Sequence, residues 1–550
     1  MKKFFKEHRT LIHAISYIII FGLVISWFFV KDAAWYKLLS LALINAIYLG
    51  INAIYNHKWF KENQLLKTLI WFLVNIIIMS YIFPVGSYGA SGAYEVDDTM
   101  ARLGLVHLFY GITYTIESYS YQIGYLLTVG MFYGILAKSE RYKSLVNNLG
   151  KKVKSHEILS IVLTTLIFAF LASFLNNTFV LIAFIPLAIS IFKSAGFDSL
   201  LAFTTTFGAI MIGGIGATYG NDAVQGFMSY LANGGSKINV NTAILIRFGI
   251  LALAYILFLF FEIMYKKKLD SKKAKEESTF EDIFAIAEPK KKSTKGWPIF
   301  VIFVILLVLA VLGFTNWYTD PTGAKIFGIQ AFNKFHDWLL KISIGKEKIS
   351  LFGTIIGSSL PNIGASLATA FGKWYLFSYS TVLFVISIIV ALVSKMGVSD
   401  YLDGARDGLK KIMRPVLYVT LAYTSFALIY FAPITPTLLN IFGNIADNFN
   451  PFIATIQAFI ASVFNSNFAY LGYSLSYYLG SLTDKNGDLA FLIFASIYGL
   501  VQFITPISTF LVLGLSYLEL PLKKWFQFIW KFFVIMLACL LIIFTLLAYL

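Results

Sequence analysis

The sequence predicts an all-α polytopic membrane protein built as an inverted repeat, with two re-entrant hairpins, two broken helices and about 11 spans. Three observations predict it. Hydrophobic residues make up 58% of the 550 and charged residues 13%. A soluble chain carries about 25% charged residues, so most of this surface faces lipid. The basic excess, 44 Lys+Arg against 28 Asp+Glu, gathers in a few loops, and four apolar stretches are interrupted by polar residues at a repeated spacing.

A membrane helix needs about 20 mostly apolar residues. Residues 11–30, 34–55, 65–84, 119–137, 241–265, 298–316, 376–396, 415–432 and 525–549 meet that length and composition. The interrupted stretches are 157–192, 199–222, 451–482 and 488–520. No small-x-small cleavage site follows residues 11–30, so the first apolar run reads as an uncleaved helix.

Orientation follows from Lys and Arg, which stay in the cytoplasm. They number 4 in residues 1–10, 3 in 56–67, 6 in 138–154, 10 in 266–295, 5 in 395–414 and 2 at 523–524. Segment 86–118 has only Arg102 against Glu95, Asp97, Asp98 and Glu117, and 432–450 has no Lys or Arg. The charge is therefore topological, and a nucleic-acid partner is excluded. The N-terminus falls in the cytoplasm of a multi-pass protein of the cytoplasmic membrane.

Parity then shapes the breaks. Segment 157–192 begins in the cytoplasm and is too long for one crossing at about 1.5 Å per residue. The next fixed point, Lys266 to Lys268, is cytoplasmic too, so 157–192 goes in and returns while 199–222 crosses outward. After the basic linker, 451–482 dips in from outside and 488–520 crosses inward to Lys523 and Lys524. This requires 317–375 to be extracytoplasmic, with 350–372 an amphipathic or surface helix. The chain divides into a two-helix addition (1–60), a first repeat (61–265), a cytoplasmic linker (266–296) and a second, inverted repeat (297–550). Discontinuous helices meeting near the midplane are the arrangement expected of secondary transporters.

Unwound backbone survives in hydrocarbon only where it lines a cavity or is buried in protein. The first hairpin breaks at Ser173 and Asn176-Asn177-Thr178. The following span breaks at Gly213-Gly214-Ile-Gly216-Ala-Thr218-Tyr-Gly220-Asn221-Asp222. The second pair breaks at Asn465-Ser466-Asn467 and at Thr505-Pro506-Ile-Ser508-Thr509. Asn176 and Thr218 are 42 positions apart, Asn465 and Thr505 are 40 apart. These residues are the candidate substrate-binding set: Asn176, Asn177, Thr178, Gly216, Thr218, Asn221, Asp222, Asn465, Ser466, Asn467, Thr505, Ser508 and Thr509. Half-helix N-termini suit a carboxylate. Side-chain and free carbonyl oxygens near Asn176, Thr218, Asn465 and Thr505 suit a coupling Na⁺; a proton is the alternative ion. The competing reading is that Asn and Thr only tie helices together, and that the glycines are close-packing positions. Intramembrane carboxylates are functional candidates; Glu117 and Asp222 are candidates for a charge or coupling role, against the reading that both are interfacial acids in water. Asp198 reads as a helix N-cap, Arg247 as snorkelling to the interface, and the 53 Phe and 32 Tyr as mostly lipid-facing or belt residues.

Cys539 stands alone, which excludes an intramolecular disulfide and a Cys-based metal site. No phosphate-binding loop and no catalytic triad is present, so neither an enzyme nor ATP-driven transport is expected. No cofactor is expected, and the partners are a small-molecule substrate, the lipid bilayer and a second copy in a homodimer. A passive channel is the alternative of another class.

At these residues the chain resembles the YfcC-like (DcuC/YfcC) transporters of the ion-transporter superfamily, which includes p-aminobenzoyl-glutamate and short-chain fatty acid carriers. The resemblance runs over about residues 65–550. It rests on Tyr81-Ile-Phe-Pro84-Val-Gly86, Gly130-Met-Phe-Tyr-Gly134 and Ala195-Gly196-Phe-Asp198-Ser199, then on Gly213 to Asn221. Leu402-Asp-Gly404-Ala-Arg-Asp407-Gly and the end from Thr505-Pro506 to Pro521-Leu-Lys-Lys-Trp525 complete it. It implies inverted repeats with the hairpin tips at the site. It also implies a substrate among C4-dicarboxylates or other organic anions, or arginine/ornithine exchange. Asn221-Asp222-Ala223 stands where the family often has Asn-Pro-Phe. The added carboxylate makes basic amino-acid exchange of the arginine/ornithine kind the first substrate expectation.

Overall fold

A computed structural model describes residues 9–30, 34–55, 63–89, 92–97, 99, 102–218, 224, 243–272, 283–284, 295–317, 329–341, 370–443, 449–480, 482 and 484–549. Helices α1 (Arg9–Phe29), α2 (Ala34–Tyr55) and α3 (Gln64–Ile82) come first. Trp71 Nε1 on α3 donates to Asn45 Oδ1 on α2 at 2.7 Å, and Asn45 Nδ2 donates to Asn75 Oδ1 at 2.8 Å. Such bonds hold helices together where lipid offers no partner. A short antiparallel pair, β1 (Gly86–Tyr88) and β2 (Tyr94–Val96), folds the acidic loop.

The region expected to hold one span, 119–137, holds the end of a broken helix. It consists of α4 (Leu105–Ser118) and α5 (Ser120–Lys138), which meet at Tyr119. Next come α6 (Glu140–Ser155) and the first hairpin: α7 (Glu157–Phe174), a 3₁₀ turn (Thr178–Ala183) and α8 (Ile185–Ser194). Pro186 in the first turn of α8 forces no lost bond, because that N–H has no helical partner. Helix α9 (Ser199–Ile215) contains a π-turn over Thr204–Gly208, and α10 (Ile244–Lys272) runs seven residues past the expected span end.

The second half repeats this with extra pieces. Helices α11 (Trp297–Phe314), α12 (Ala331–Lys341) and α13 (Leu376–Val393) lead to α14 (Val398–Phe431), longer than the span 415–432 expected there. Helix α15 (Thr435–Gly443) precedes the second hairpin, α16 (Pro451–Phe464) and α17 (Phe468–Gly480). The broken span follows as α18 (Asp484–Val501) and α19 (Thr509–Tyr517), then α20 (Leu522–Tyr549). Most of the proposed surface helix at 350–372 lies outside the described residues.

Both ends of the first hairpin lie at the basic face. Glu157 pairs with Lys266, and Ser194 abuts Gly150 beside Lys151 and Lys152. Lys524 Nζ sits 3.0 Å from Asp198 Oδ2 just beyond α8. The base of the second hairpin rests instead on the acidic loop. The rings of Tyr478 and Tyr88 stand 5.2 Å apart, and Tyr94 shares a 2.6 Å hydrogen bond with Thr437 on α15. The hairpins therefore enter from opposite faces, as the parity of the charges requires.

The halves interlock most closely along α5 and α14. Gly130 and Gly134 face Gly404 and Gly408, and a Cβ on Gly134 or Gly408 would overlap backbone of the other helix. Two small-xxx-small stripes bring the backbones together by dispersion contact, the force left to helices in lipid. The crossing at the centre is as tight: a Cβ on Gly499 of α18 would overlap Gly214 of α9.

Candidate transport site

Each hairpin tip is backbone without helical partners, and the sequence supplies the missing groups. At the first tip the Asn176 N–H donates to Phe314 O at 2.7 Å, which ties the tip to the other half. Asn177 Oδ1 accepts from the Phe179 N–H at 3.1 Å and so caps the 3₁₀ turn. The carbonyls of that turn are met by tyrosines on α5: Tyr125 donates to Val180 O at 2.8 Å and Tyr133 to Ala183 O at 2.6 Å. At the second tip Asn467 Oδ1 accepts from the Tyr470 N–H at 3.2 Å. Tyr498 donates to Ser466 O at 3.0 Å. These tyrosines stand apart from the aromatics of the lipid-facing surface. They satisfy unwound backbone that hydrocarbon cannot.

The two threonines at matching positions do matching work. The Thr218 N–H and hydroxyl both donate to Ser173 O, at 2.6 and 3.1 Å. The Thr505 hydroxyl donates to Val463 O at 2.9 Å. Each fastens a broken span to the first arm of its own hairpin, so helix-tying describes these two hydroxyls. Gly216 packs against Leu251 of α10, and Gly213 against Ala169 and Ala172 of α7, which are close-packing roles.

A cavity of about 180 Å³ lies where the tips meet. Asn177 and Thr178 line it from the first hairpin, Ser466 and Asn467 from the second, and Thr509 from the start of α19. Gly214 and Gly499 form part of the wall. Asn467 Nδ2 donates across the cavity wall to Tyr119 Oη at 3.3 Å, and Tyr119 stacks on Tyr423 at 3.9 Å. Three polar atoms on the wall lack hydrogen-bond partners among the described residues: Gln122 Oε1, Gln502 Nε2 and Ser466 Oγ. No charged side chain lines the cavity among the described residues.

Of the substrate-binding residues expected from the sequence, Asn177, Thr178, Ser466, Asn467 and Thr509 come together on the wall. Asn176, Gly216, Thr218, Asn465, Thr505 and Ser508 stand behind it. Asn176 Oδ1 and Asn465 Oδ1 are left without partners, one at each tip. Asn465 is fully buried and donates to Thr435 Oγ1 and Ala461 O. Asn221 and Asp222 lie outside the described residues. Glu117 is exposed on the last turn of α4, off the cavity. Arg247 does not snorkel: it is 1% exposed, with its guanidinium 5.6 Å from the centre of the Phe491 ring.

Sequence reasoning missed Tyr119, Gln122, Tyr423, Tyr498 and Gln502. Two signals were available. Gln122 and Gln502 are polar side chains inside apolar runs, and a Phe follows each tip, at 179 and 468.

The fold and this site define a class: a membrane carrier whose paired hairpin tips close on a shared cavity. Residues 62–550 match the family described as the C4-dicarboxylate anaerobic carrier, DcuC. The chain belongs to that family and is a multi-pass secondary transporter. No curated protein matches it. It is similar to the crystal structure of the YdaH transporter of Alcanivorax borkumensis, at 11% identity and a TM-score of 0.37, over 86% of this chain and 96% of that one.

Proposed function

We propose that the protein moves a small carboxylate across the cytoplasmic membrane by alternating access, with its N-terminus inside and the halves 61–265 and 297–550 moving about the shared cavity. The observation that carries this is the composition of the wall. Its described residues offer Gln502 Nε2, Ser466 Oγ and the hydroxyls of Thr178 and Thr509, with no acidic side chain. The N-terminal turn of α19 also opens here, since Thr509 and Phe510 line the cavity. Such turns carry free N–H groups and partial positive charge. The family name supports a C4-dicarboxylate as the first substrate to try.

Arginine/ornithine-type exchange is the second reading. What favours it is Val224, on the cavity wall two residues after Asp222. A coupling Na⁺ has two suitable acceptors, Asn176 Oδ1 and Asn465 Oδ1. The test is counterflow in proteoliposomes with dicarboxylates and with basic amino acids, each with and without Na⁺. Saturable counterflow of a dicarboxylate supports the first reading, and that of arginine alone replaces it with the second. Flux that neither saturates nor shows counterflow makes the protein a channel.

A further inference from the structure

The sequence hides one intramembrane carboxyl that the cavity does not use. Glu262 lies on α10, one turn before Lys266, and is 0% exposed. Thr165 on α7, the first arm of hairpin one, donates to its Oε2 at 2.9 Å. Oε1 has no hydrogen-bond partner among the described residues. Thr204, in the π-turn of α9, is a neighbour of the carboxyl. Its hydroxyl gives its single hydrogen to Leu201 O at 3.0 Å. The free oxygen Oε1 is thus buried without a donor, and a buried carboxyl oxygen without a donor is accommodated at lower cost when it carries the hydrogen itself.

The charged surroundings agree. Among the described residues no cation pairs with Glu262. On α10, Lys266 is taken up by Glu157 of α7 and by Asp270, the latter at 2.7 Å. Tyr255 donates to Val162 O, and Tyr265 to Asp198 Oδ2. On α20, Lys524 is directed to Asp198 as well. An ionised carboxylate buried without a partner is costly. The π-turn sits beside this group. It is fastened by Thr204, Thr205 and Thr206, whose hydroxyls bond back to the carbonyls of Leu201 and Ala202. Single π-turns of this kind concentrate at functional sites.

We infer that Glu262 is a proton-binding site that links hairpin one to α9 and α10, so that movement of the hairpin arm is coupled to a proton exchanged with the cytoplasmic side. Protonated, the carboxyl is neutral, accepts from Thr165 and holds α7 against α10. Ionised, its unpartnered oxygen needs water or a cation. Lys266 lies one turn on, about 6 Å along the helix axis towards the basic face. The protonation state and the seating of α7 therefore bias each other, which is the definition of coupling. The inference rests on the transport reading, and names its ion.

The test is uptake into Na⁺-free proteoliposomes driven by an imposed pH gradient. One pH unit drives about tenfold accumulation per coupled proton. Glu262→Gln reproduces the neutral form, and its oxygen still accepts from Thr165. It keeps counterflow but loses the gradient-driven accumulation. Accumulation by Glu262→Gln equal to that of the wild-type protein overturns the inference, as does a wild-type protein driven only by a Na⁺ gradient. A second readout needs no transport. A hydrophobic carbodiimide labels wild-type Glu262 faster at low pH, as read by peptide mass. No label, or label independent of pH, overturns the proton site. Failure of counterflow in the wild-type protein would instead count against the transport reading, and leave the labelling to decide the proton site.

Discussion

Asn467→Asp separates the two jobs of a tip asparagine. Asn467 Oδ1 caps α17 through the Tyr470 N–H at 3.2 Å, while its Nδ2 lies on the cavity wall beside Tyr119 Oη at 3.3 Å. Asp is as good an N-cap as Asn, so the helix start is kept. The donor disappears and a negative charge takes its place. A hydrogen bond to a charged group contributes about 1.5–3 kcal/mol. At 1.4 kcal/mol per decade, its loss weakens carboxylate binding about tenfold to a hundredfold. Asn467→Ala loses the donor and also the cap, about 1 kcal/mol of stability. The assay is the half-saturation concentration for counterflow beside the melting temperature in detergent. The expected pattern is unchanged melting for Asn467→Asp, lowered melting for Asn467→Ala, and weakened substrate binding in both. Dicarboxylate affinity unchanged in Asn467→Asp would refute the carboxylate-facing role of this amide. Tighter binding of arginine in the same variant would favour the second reading.

Thr218→Val and Thr505→Val each remove one helix tie, and each costs about 1 kcal/mol of stability, read as two similar drops in melting temperature; a loss confined to one of them breaks the equivalence of the halves. Gly134→Leu drives a side chain into the backbone of Gly404 and Gly408 and costs more than the usual 1–3 kcal/mol of overpacking, seen as loss of monodisperse protein. In a chain with Cys539 replaced, a cysteine at 195 is labelled from the cytoplasm and one at 485 from outside; the reverse at either position ends the inverted arrangement. Deleting residues 1–60 leaves counterflow intact but lowers thermal stability. Every lining residue falls between 119 and 510, while Asn75 on α3 loses its partner Asn45.

The spans were legible because lipid imposes length and apolarity on each helix separately, so each could be read locally. The hairpins were legible for a less direct reason: charge fixes sides, and parity then fixes returns. The tips at Asn177 and Asn467 followed, since polar residues in hydrocarbon require a use. What a local reading could not supply was partnership between distant segments. Thr218 and Thr505 have the composition of a binding residue, and only the carbonyls of Ser173 and Val463 reveal them as ties. Tyr119 looks like any interfacial aromatic until α4 and α5 break there, and Glu262 looks like the end of an apolar run until Thr165 closes on it. Asp198 was legible as a cap, and its Oδ1 does accept from the Leu201 N–H at 2.9 Å. Its second oxygen was not.

That second oxygen distinguishes the two otherwise matched hairpins. Asp198 Oδ2 accepts from Tyr265 at 2.7 Å and pairs with Lys524 at 3.0 Å, with side-chain exposures of 5% for the aspartate and 39% for the lysine. The ties at hairpin two among the described residues are neutral: Gln457 Nε2 donates to Leu439 O at 2.9 Å, and Tyr478 donates to Gln457 Oε1 at 3.4 Å. The clamp at hairpin one can therefore be broken by removing one charge. Lys524→Met leaves the buried Asp198 carboxylate with two neutral donors. Stripping one partner from a fully buried pair costs about 3–5 kcal/mol, and the exposure of Lys524 lowers that to about 1–2 kcal/mol. Asp198→Asn keeps an oxygen for the Leu201 N–H and leaves a lysine that water can solvate, so it costs less. The order of the two melting temperatures is the test, with Lys524→Met expected below Asp198→Asn. If Asp198→Asn melts lower, the carboxylate acts chiefly as a hydrogen-bond acceptor and the ion pair clamps nothing. If the order holds, Lys524 of the basic face also holds hairpin one closed at that face.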